Sequence, residues 1–511
     1  MAQSQGSFDQ RLEDAGNPFL ALPGLVLLLT AAIGACAFLI LRDESLAACG
    51  GLLAGALLMF VMVRWQRGVY GLLLYLPVSG VVTLALLPWN GPAIINPVVF
   101  KDWLFVGPAY LGFGGAIVLR RQKFPMMGTT LASLLFAFVG LVMVEMAQPG
   151  VPNASTALIG AKVWLGYVPL YVLGMALVSG RPRLTQLWRM LAATAVLPCL
   201  LGLGEYVGSL LFGYDRVMAT IYGHNAGDVT QSLTWFFVGG GQIFRIPSTF
   251  TFEAQYFGFT LAMLVPCFAV AYGDPSPAWR RFGTSMLVFV ALAGFLSGAR
   301  AAYIFIPLLL ALMYWLNRGI AGAFRAFGFI AVGLAGALAI SRVAAGPMFG
   351  WISGLFEDYA VDTAYGGLVE SLTTSWLGHG TGTNTGSARY VLQRPEFFEA
   401  IQNYYAKSAY ELGVLGFLIL VALFIALIYK GLKTVSSLRD PGLRAMAAAL
   451  TGFLIVIALD SFKGWILDLD PVNVYFWLFA GVLAGLTRLD APPSRDKDAH
   501  PSAAEPDEAR A

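Results

Sequence analysis

Long apolar runs recur along the whole sequence, and they constrain the fold more than any other feature. A helix that crosses a bilayer needs about 20 predominantly apolar residues. Hydrophobic residues make up 58% of the 511-residue chain and charged residues only 12%. The mean hydropathy of +0.71 lies far outside the range of soluble domains. The sequence therefore predicts an all-α, polytopic integral membrane protein.

About fourteen transmembrane helices are expected by this length criterion. The predicted spans lie near 19–41, 46–63, 69–88, 97–119, 127–147, 158–179, 187–212, 250–272, 284–297, 301–316, 326–341, 404–429, 445–462 and 473–487. Most Lys and Arg residues fall in alternate loops, from Arg64 and Arg67 to Arg439 and Arg444. The positive-inside rule assigns those loops and both termini to the cytoplasm.

One membrane domain is expected, over residues 19–487. Residues 1–18 are acidic and lack a basic start or a small-residue cleavage site, so the first span serves for targeting and no signal peptide is removed. Residues 488–511 contain Pro, Ala and charged residues, as in a disordered cytoplasmic tail. The two long loops, 213–249 and 342–403, lie on the side opposite the cytoplasm. This asymmetry favours an enzyme working at one membrane face over a transporter.

The charge and cysteine patterns exclude other classes. A net charge of +3, spread over short loops, gives no nucleic-acid surface. The four cysteines lie in apolar stretches without CxxC spacing, which indicates packing and neither a disulfide framework nor a metal site.

Several charged residues lie in or beside predicted spans, where a Lys or Arg costs about 2.5–3.5 kcal/mol. Lys101 and Lys162 have two interpretations: they reach the outer interface, with Lys101 neutralised by Asp102, or they bind an anion. Arg300 lies in a Ser-Gly-Ala-Arg turn between two short spans, so the turn is expected below the membrane surface. A guanidinium there favours a bidentate anion such as phosphate.

A polar stripe is predicted on the twelfth span. Asn403, Lys407 and Glu411 are spaced by four residues and share one helix face, so an internal Lys407–Glu411 ion pair is one interpretation. Gly413 and Gly416 would let a neighbour approach closely. Alone, an arginine such as Arg245 at a span boundary is an interface anchor. Together with Arg300 and the lysines on the same side, it indicates an anion site.

These residues resemble the O-antigen ligase and O-antigen polymerase superfamily of bacterial envelope glycan assembly. The resemblance is best between residue 245 and about residue 418. It rests on an Arg-led segment at 245–250, an SGxR turn at 297–300, Gly-His-Gly at 378–380, Asn403, and ELGxxG at 411–416.

The resemblance implies a metal-independent, GT-C-like membrane glycosyltransferase without a cofactor. It would act at the periplasmic face of the bacterial inner membrane on glycans linked to undecaprenyl pyrophosphate. Catalytic roles are implied for Arg245, Arg300 and Glu411. Substrate-binding roles are implied for Lys101, Lys162, His379, Asn403 and Lys407. The partners would be the lipid-linked glycan, membrane lipid, and assembly proteins such as a flippase and a chain-length regulator, with no nucleic acid.

One departure from the family pattern separates two activities. Ligases of the superfamily resemble one another in a His-Asn pair before the ELG helix, whereas this chain has Gln402-Asn403. An amide cannot accept the acceptor's proton, so polymerisation of an O-antigen or exopolysaccharide repeat is expected. Two alternatives stay open: a ligase acting on lipid A core or another acceptor, and a lipid-linked oligosaccharide flippase. Candidate bases for a ligase are His379, His224, Glu396 and Glu399.

Overall fold

The computed structural model describes most of the membrane domain. The described residues are 45–86, 101–119, 129–223, 235–238, 241–322, 365, 367–374, 376–386, 401 and 403–490, with a few positions between 324 and 331. The predicted spans near 19–41 and 326–341 lie wholly or largely outside them, as do residues 1–18 and nearly all of the predicted tail. His224, Glu396, Glu399 and Gln402 also lie outside the described residues.

The described part is α-helical apart from one short hairpin. The helices are α1 (Ser45–Val63), α2 (Trp65–Tyr75), α3 (Ser79–Leu86), α4 (Gly107–Leu119), α5 (Thr130–Glu145), α6 (Ala154–Leu165), α7 (Leu170–Leu177), α8 (Arg181–Thr194), α9 (Val196–Phe212), α10 (Glu253–Gly273), α11 (Pro277–Leu296), α12 (Ala302–Arg318), α13 (Gly367–Thr374), α14 (Tyr404–Ser437), α15 (Pro441–Asp460) and α16 (Val472–Gly485). The antiparallel strands β1 (Trp235–Val238) and β2 (Gly241–Phe244) form the hairpin, which leads directly into Arg245.

Eight helical stretches in the described part are long and apolar enough to cross a membrane. They are α2 with α3, α4 with the turn before it, α6 with α7, α8 with α9, α10, α14, α15, and α16 with its last turn. Three further apolar helices, in α1, α5 and α12, are shorter. The prediction of a helical membrane protein is confirmed. The number of fourteen spans stays a prediction.

Helix α10 lies at the centre of the described helices. It packs against α8, α11 and α15, and nearly all of its side chains are buried. Helices α10 and α15 run antiparallel, because Gly273 at the end of α10 contacts Gly442 at the start of α15. The first residue of α10 and the last residue of α15 therefore lie at the same end of the helix pair.

Charged side chains gather at both ends of the helices. At one end, Arg181 pairs with Asp440 at 2.8 Å and Arg189 pairs with Asp274 at 2.7 Å. We call this the Arg181 end, and the opposite end, where α10 and α14 begin, the Arg245 end. Among the described residues, Arg181, Arg439 and Arg444, which the sequence predicts for the cytoplasm, lie at the Arg181 end, while Arg245 and Asn403 of the predicted site lie at the Arg245 end.

Candidate functional site

The two segments that carry the predicted site arginines contact each other through their backbones. The N–H of Ile246 donates to the carbonyl of Ser297 at 3.0 Å. Gly298 has φ +76°, and a Cβ at this position would lie 2.2 Å from the carbonyl oxygen of Phe244. Only glycine satisfies both the backbone angle and the contact. The 244–246 and 297–300 segments thus form one unit, the arginine unit, in which Arg245 and Arg300 are both half-buried.

The Arg245 guanidinium holds an anionic partner within the protein. Its Nη1 lies 2.9 Å from Oε1 of Glu253, the first residue of α10. Lys463, in the connection between α15 and α16, is within electrostatic range of the same carboxylate. The site therefore has a third cation, which the sequence did not single out because it lies in a short loop.

Glu205 fixes the turn that follows Arg245. Its carboxylate accepts the Ser248 N–H at 2.8 Å and the Tyr222 hydroxyl at 2.5 Å. Ser248 has φ 53° and is the one non-glycine residue with positive φ in the part of the chain that is described. Sequence reasoning missed Glu205, although an acidic residue in the middle of an apolar span was a signal.

Lys101 and Lys162 are paired with two aspartates. Lys101 Nζ lies 2.6 Å from Asp470 and 3.7 Å from Asp102, while Lys162 Nζ lies 2.8 Å from Asp102. Asp102 was expected to neutralise Lys101, but the closer partner is Asp470. Lys101 is only 2% exposed. Burial alone would raise the pKa of Asp470, but the two ammonium groups hold that pKa below its ordinary value.

The polar stripe on α14 does not pair internally. Asn403 caps α14 by accepting the N–H groups of Tyr405 and Ala406. Lys407 forms a salt bridge with Asp468, and its Nζ lies 4.9 Å from the ring centre of Trp164. The proposed Lys407–Glu411 ion pair is therefore wrong, because each side chain has a different partner on another segment.

Glu411 holds the glycine loop, defined as residues 376–386. One carboxylate oxygen accepts the Asn384 N–H at 2.7 Å and the Thr385 hydroxyl at 3.0 Å. The other accepts the Gly382 N–H at 3.2 Å and the Trp164 indole N–H at 2.7 Å. A fully buried carboxylate with four donors is arranged to position a loop. Its predicted catalytic role is untested, and this geometry favours a positioning role.

The glycine loop crosses α14 at Gly413. This residue has φ 72° and ψ 179°, which interrupts the helix, and a Cβ there would lie 2.5 Å from the carbonyl of Trp376. The close approach predicted at Gly413 therefore exists, but the neighbour is a loop and not a helix.

His379, in the glycine loop, has a defined tautomer. Its ring stacks on Tyr410, and Nδ1 lies 3.2 Å from the carbonyl of Tyr410. Because a carbonyl only accepts, we assign the proton to Nδ1 and the lone pair to Nε2. On the opposite side, Gly150 contacts the His379 carbonyl. The histidine thus lies beside the connection between α5 and α6.

The connection between α15 and α16 brings these groups together. Its Asp468 and Asp470 pair with Lys407 and Lys101, and its Trp465 ring lies 4.0 Å from the position of a Gly386 Cβ. The same connection carries Lys463, beside Glu253. The sequence signal for it was Asp468-Leu-Asp470 between two apolar spans.

In the described ranges, no group of three or more His, Cys, Asp or Glu side chains could hold a metal ion. Comparison of the chain with protein-family models and with curated proteins gave no match.

Proposed function

We propose that this chain is a metal-independent, polymerase-type glycosyltransferase of the bacterial inner membrane. It joins undecaprenyl-pyrophosphate-linked repeat units of an O-antigen or exopolysaccharide at the periplasmic face. The observation that carries the proposal is the arginine unit, in which the backbones around Arg245 and Arg300 are hydrogen-bonded to each other. The proposed architecture is GT-C-like, with about fourteen spans and both termini in the cytoplasm.

The arginine unit suits a departing pyrophosphate. When the bond between the sugar and the pyrophosphate breaks, negative charge develops on the phosphate oxygens, and fixed cationic donors in a water-poor site stabilise it. Two guanidinium groups on one rigid unit offer planar, bidentate donors for these oxygens. Arg245 is paired with Glu253, so the pyrophosphate would share this guanidinium with a carboxylate.

The lysines contribute less to this proposal than the sequence predicted. Lys101 and Lys407 are buried and have carboxylate partners. These partners already compensate the two positive charges, so no substrate anion is needed to explain them. Lys162 keeps 38% of its side chain exposed and is the best placed of the three to contact substrate. Asn403 and His379 lie on the same end and are proposed to line the site.

A ligase is the second candidate, and the tautomer of His379 favours it. With Nδ1 bonded to Tyr410, Nε2 could accept a proton from an acceptor hydroxyl. A deletion strain separates the two functions. Loss of a polymerase leaves single repeat units without long polymer. Loss of a ligase leaves full-length polymer on undecaprenyl pyrophosphate.

Arg300→Lys tests the arginine unit in that strain. The lysine keeps the positive charge but lacks the planar fork, so we expect a loss of polymer of about 100-fold, the size seen for one donor to a developing charge. Arg318→Lys is the matched control, because Arg318 lies at the Arg181 end beside Tyr272. Protein levels are measured by immunoblotting and polymer by gel electrophoresis. Wild-type polymer from Arg300→Ala would refute the proposal.

A further inference from the structure

Asp460 is a buried carboxylate without a close partner. It is the last residue of α15 and only 3% exposed. Among the described residues, none forms a hydrogen bond or a salt bridge with its side chain, whereas Glu205, Glu253 and Glu411 all have such partners. The carboxylate oxygens are not among the fully enclosed polar atoms and so stay accessible at the end of α15. An ionised carboxylate at a residue so nearly buried is still costly and calls for a functional explanation.

The position of Asp460 relates it to the arginine unit. The antiparallel packing of α10 and α15 places Asp460 at the same end as Glu253, which pairs with Arg245. Lys463 is within electrostatic range of both carboxylates. Asp460 therefore belongs to the Arg245 end and lies on the side of the site where the α15–α16 connection begins.

Two hydrogen-bond donors without a partner lie on the same side of the site as Asp460. In the part of the chain that the structure describes, neither the Trp465 indole N–H nor the Asn384 side-chain amide has a hydrogen-bond partner, although both are buried. Trp465 follows Lys463 by two residues, and its ring faces Gly386 at the end of the glycine loop. An indole face and amide donors suit a sugar ring and its hydroxyl groups. These donors mark a place for the acceptor glycan.

We infer that Asp460 is the general base of the transfer, a conclusion that rests on the proposed function. The acceptor hydroxyl oxygen forms a bond with the anomeric carbon of the donor sugar. The bond from that carbon to the phosphate oxygen breaks, and its electron pair leaves with the pyrophosphate. The hydroxyl proton moves to the carboxylate of Asp460.

Three other titratable side chains of the Arg245 end fit this role less well. Glu411 has four donors on its two oxygens, and Glu205 holds the Ser248 turn. His379 lies against the α5–α6 connection and not against α10 or α15. Of these four side chains, Asp460 alone combines a carboxylate that accepts no hydrogen bond with a position in electrostatic range of Lys463.

The test compares Asp460→Asn with Asp440→Asn. Asparagine has the shape of aspartate but cannot accept the proton, so polymer should fall by about 100-fold or more. Asp440 caps the other end of α15 and pairs with the exposed Arg181. Asparagine is equally good as a cap, and an exposed ion pair contributes only about 0–1 kcal/mol, so the control should keep wild-type polymer. Binding of undecaprenyl pyrophosphate to the purified proteins is measured in parallel, and the Kd of Asp460→Asn should equal that of wild type.

The outcomes separate the inference from the function it rests on. Wild-type polymer from Asp460→Asn, or a weakened Kd in that variant, overturns Asp460 as the base. An unchanged Kd in Arg300→Ala instead overturns the proposed pyrophosphate site. Where Asp460→Asn does not accumulate, Asp460→Glu decides: retained polymer supports a carboxylate base, and lost polymer in a stably folded Glu variant overturns it.

Discussion

Lys407 of α14 forms a buried salt bridge with Asp468, which lies in the connection before α16. The Lys407 side chain is fully buried, and that of Asp468 is 10% exposed. Removing one partner of such a pair leaves an uncompensated charge and costs about 3–5 kcal/mol, whereas replacing both partners together is often nearly neutral. The pair therefore allows stability and substrate binding to be tested separately.

Lys407→Met and Asp468→Asn should each lower the thermal unfolding midpoint of the purified protein, and the double variant should recover most of the loss. Fluorescence-detected melting in detergent measures this. Polymer formation then decides the role of Lys407. Recovery of polymer in the double variant assigns the lysine to structure, while an inactive double variant of normal stability supports the predicted substrate contact.

Gly298→Ala should separate the two halves of the arginine unit. The new methyl group would meet the Phe244 carbonyl at 2.2 Å, so the Ile246–Ser297 hydrogen bond must break or shift. We expect polymer to fall by about 100-fold, as for loss of a donor to the leaving group. The readout is polymer per amount of protein.

Gly319→Ala controls for backbone strain in that experiment. Gly319 also has a positive φ, +65°, but a Cβ there would meet nothing within 4 Å. Both substitutions therefore carry a backbone penalty of about 1–3 kcal/mol, and only Gly298→Ala adds the clash. Equal loss of polymer in the two variants would show that strain alone matters.

Glu411→Gln should loosen the glycine loop. The glutamine amide would place its own NH₂ against N–H donors, so at least one charge-assisted hydrogen bond, worth about 1.5–3 kcal/mol, is lost. Hydrogen exchange of residues 380–386 should accelerate about tenfold or more. Glu370→Gln, in the exposed part of α13, is the control. Unchanged exchange in Glu411→Gln would contradict the positioning role.

The proposed orientation predicts opposite labelling of two single cysteines. In a chain without its native cysteines, Gly386→Cys should react with a membrane-impermeant maleimide in spheroplasts, and Ser436→Cys should react only after lysis. Both positions are exposed, at the Arg245 end and the Arg181 end respectively. The reverse pattern would place the arginine unit in the cytoplasm and exclude a periplasmic transferase.

The Arg189–Asp274 pair predicts a loss of stability in acid. Burial raises the pKa of Asp274, but the hydrogen bonds from Arg189 outweigh this and hold that pKa below its ordinary value. Such a carboxylate stabilises the fold above its unfolded pKa of about 3.9 and loses this effect as the pH falls through the folded pKa. Below about pH 4, the unfolding midpoint should therefore fall more steeply in wild type than in Asp274→Asn.

The sequence predicted the class of fold because each span must be apolar along its whole length. It also predicted the start of α14 near residue 404, but it placed Asn403 on the helix face with Lys407, whereas Asn403 is the cap that precedes Tyr404. The number of crossings was harder, because helices such as α5 and α12 are short and packed against neighbours. Their hydrophobicity reflects burial in protein as much as contact with lipid.

The site could be predicted in part. Placing Arg245 and Arg300 on one side required only the order of spans, and the structure shows the two segments in direct contact. The partners of the buried lysines could not be predicted. Asp470 meets Lys101 only because the α15–α16 connection reaches the segment before α4, and no local pattern specifies that pairing. For the same reason, the sequence could not predict the four hydrogen-bond donors to Glu411.

These salt bridges join residues that lie far apart in the sequence, so the order of synthesis decides when each pair can form. Lys101 enters the membrane early, whereas Asp470 is made after α15, so the nascent chain carries Lys101 without its closer counterion until almost all of the spans have been translated. Lys407 is likewise translated before its partner, Asp468. The connection between α15 and α16 thus completes both salt bridges. A chain that ends before this connection lacks the closer counterion of Lys101 and the partner of Lys407.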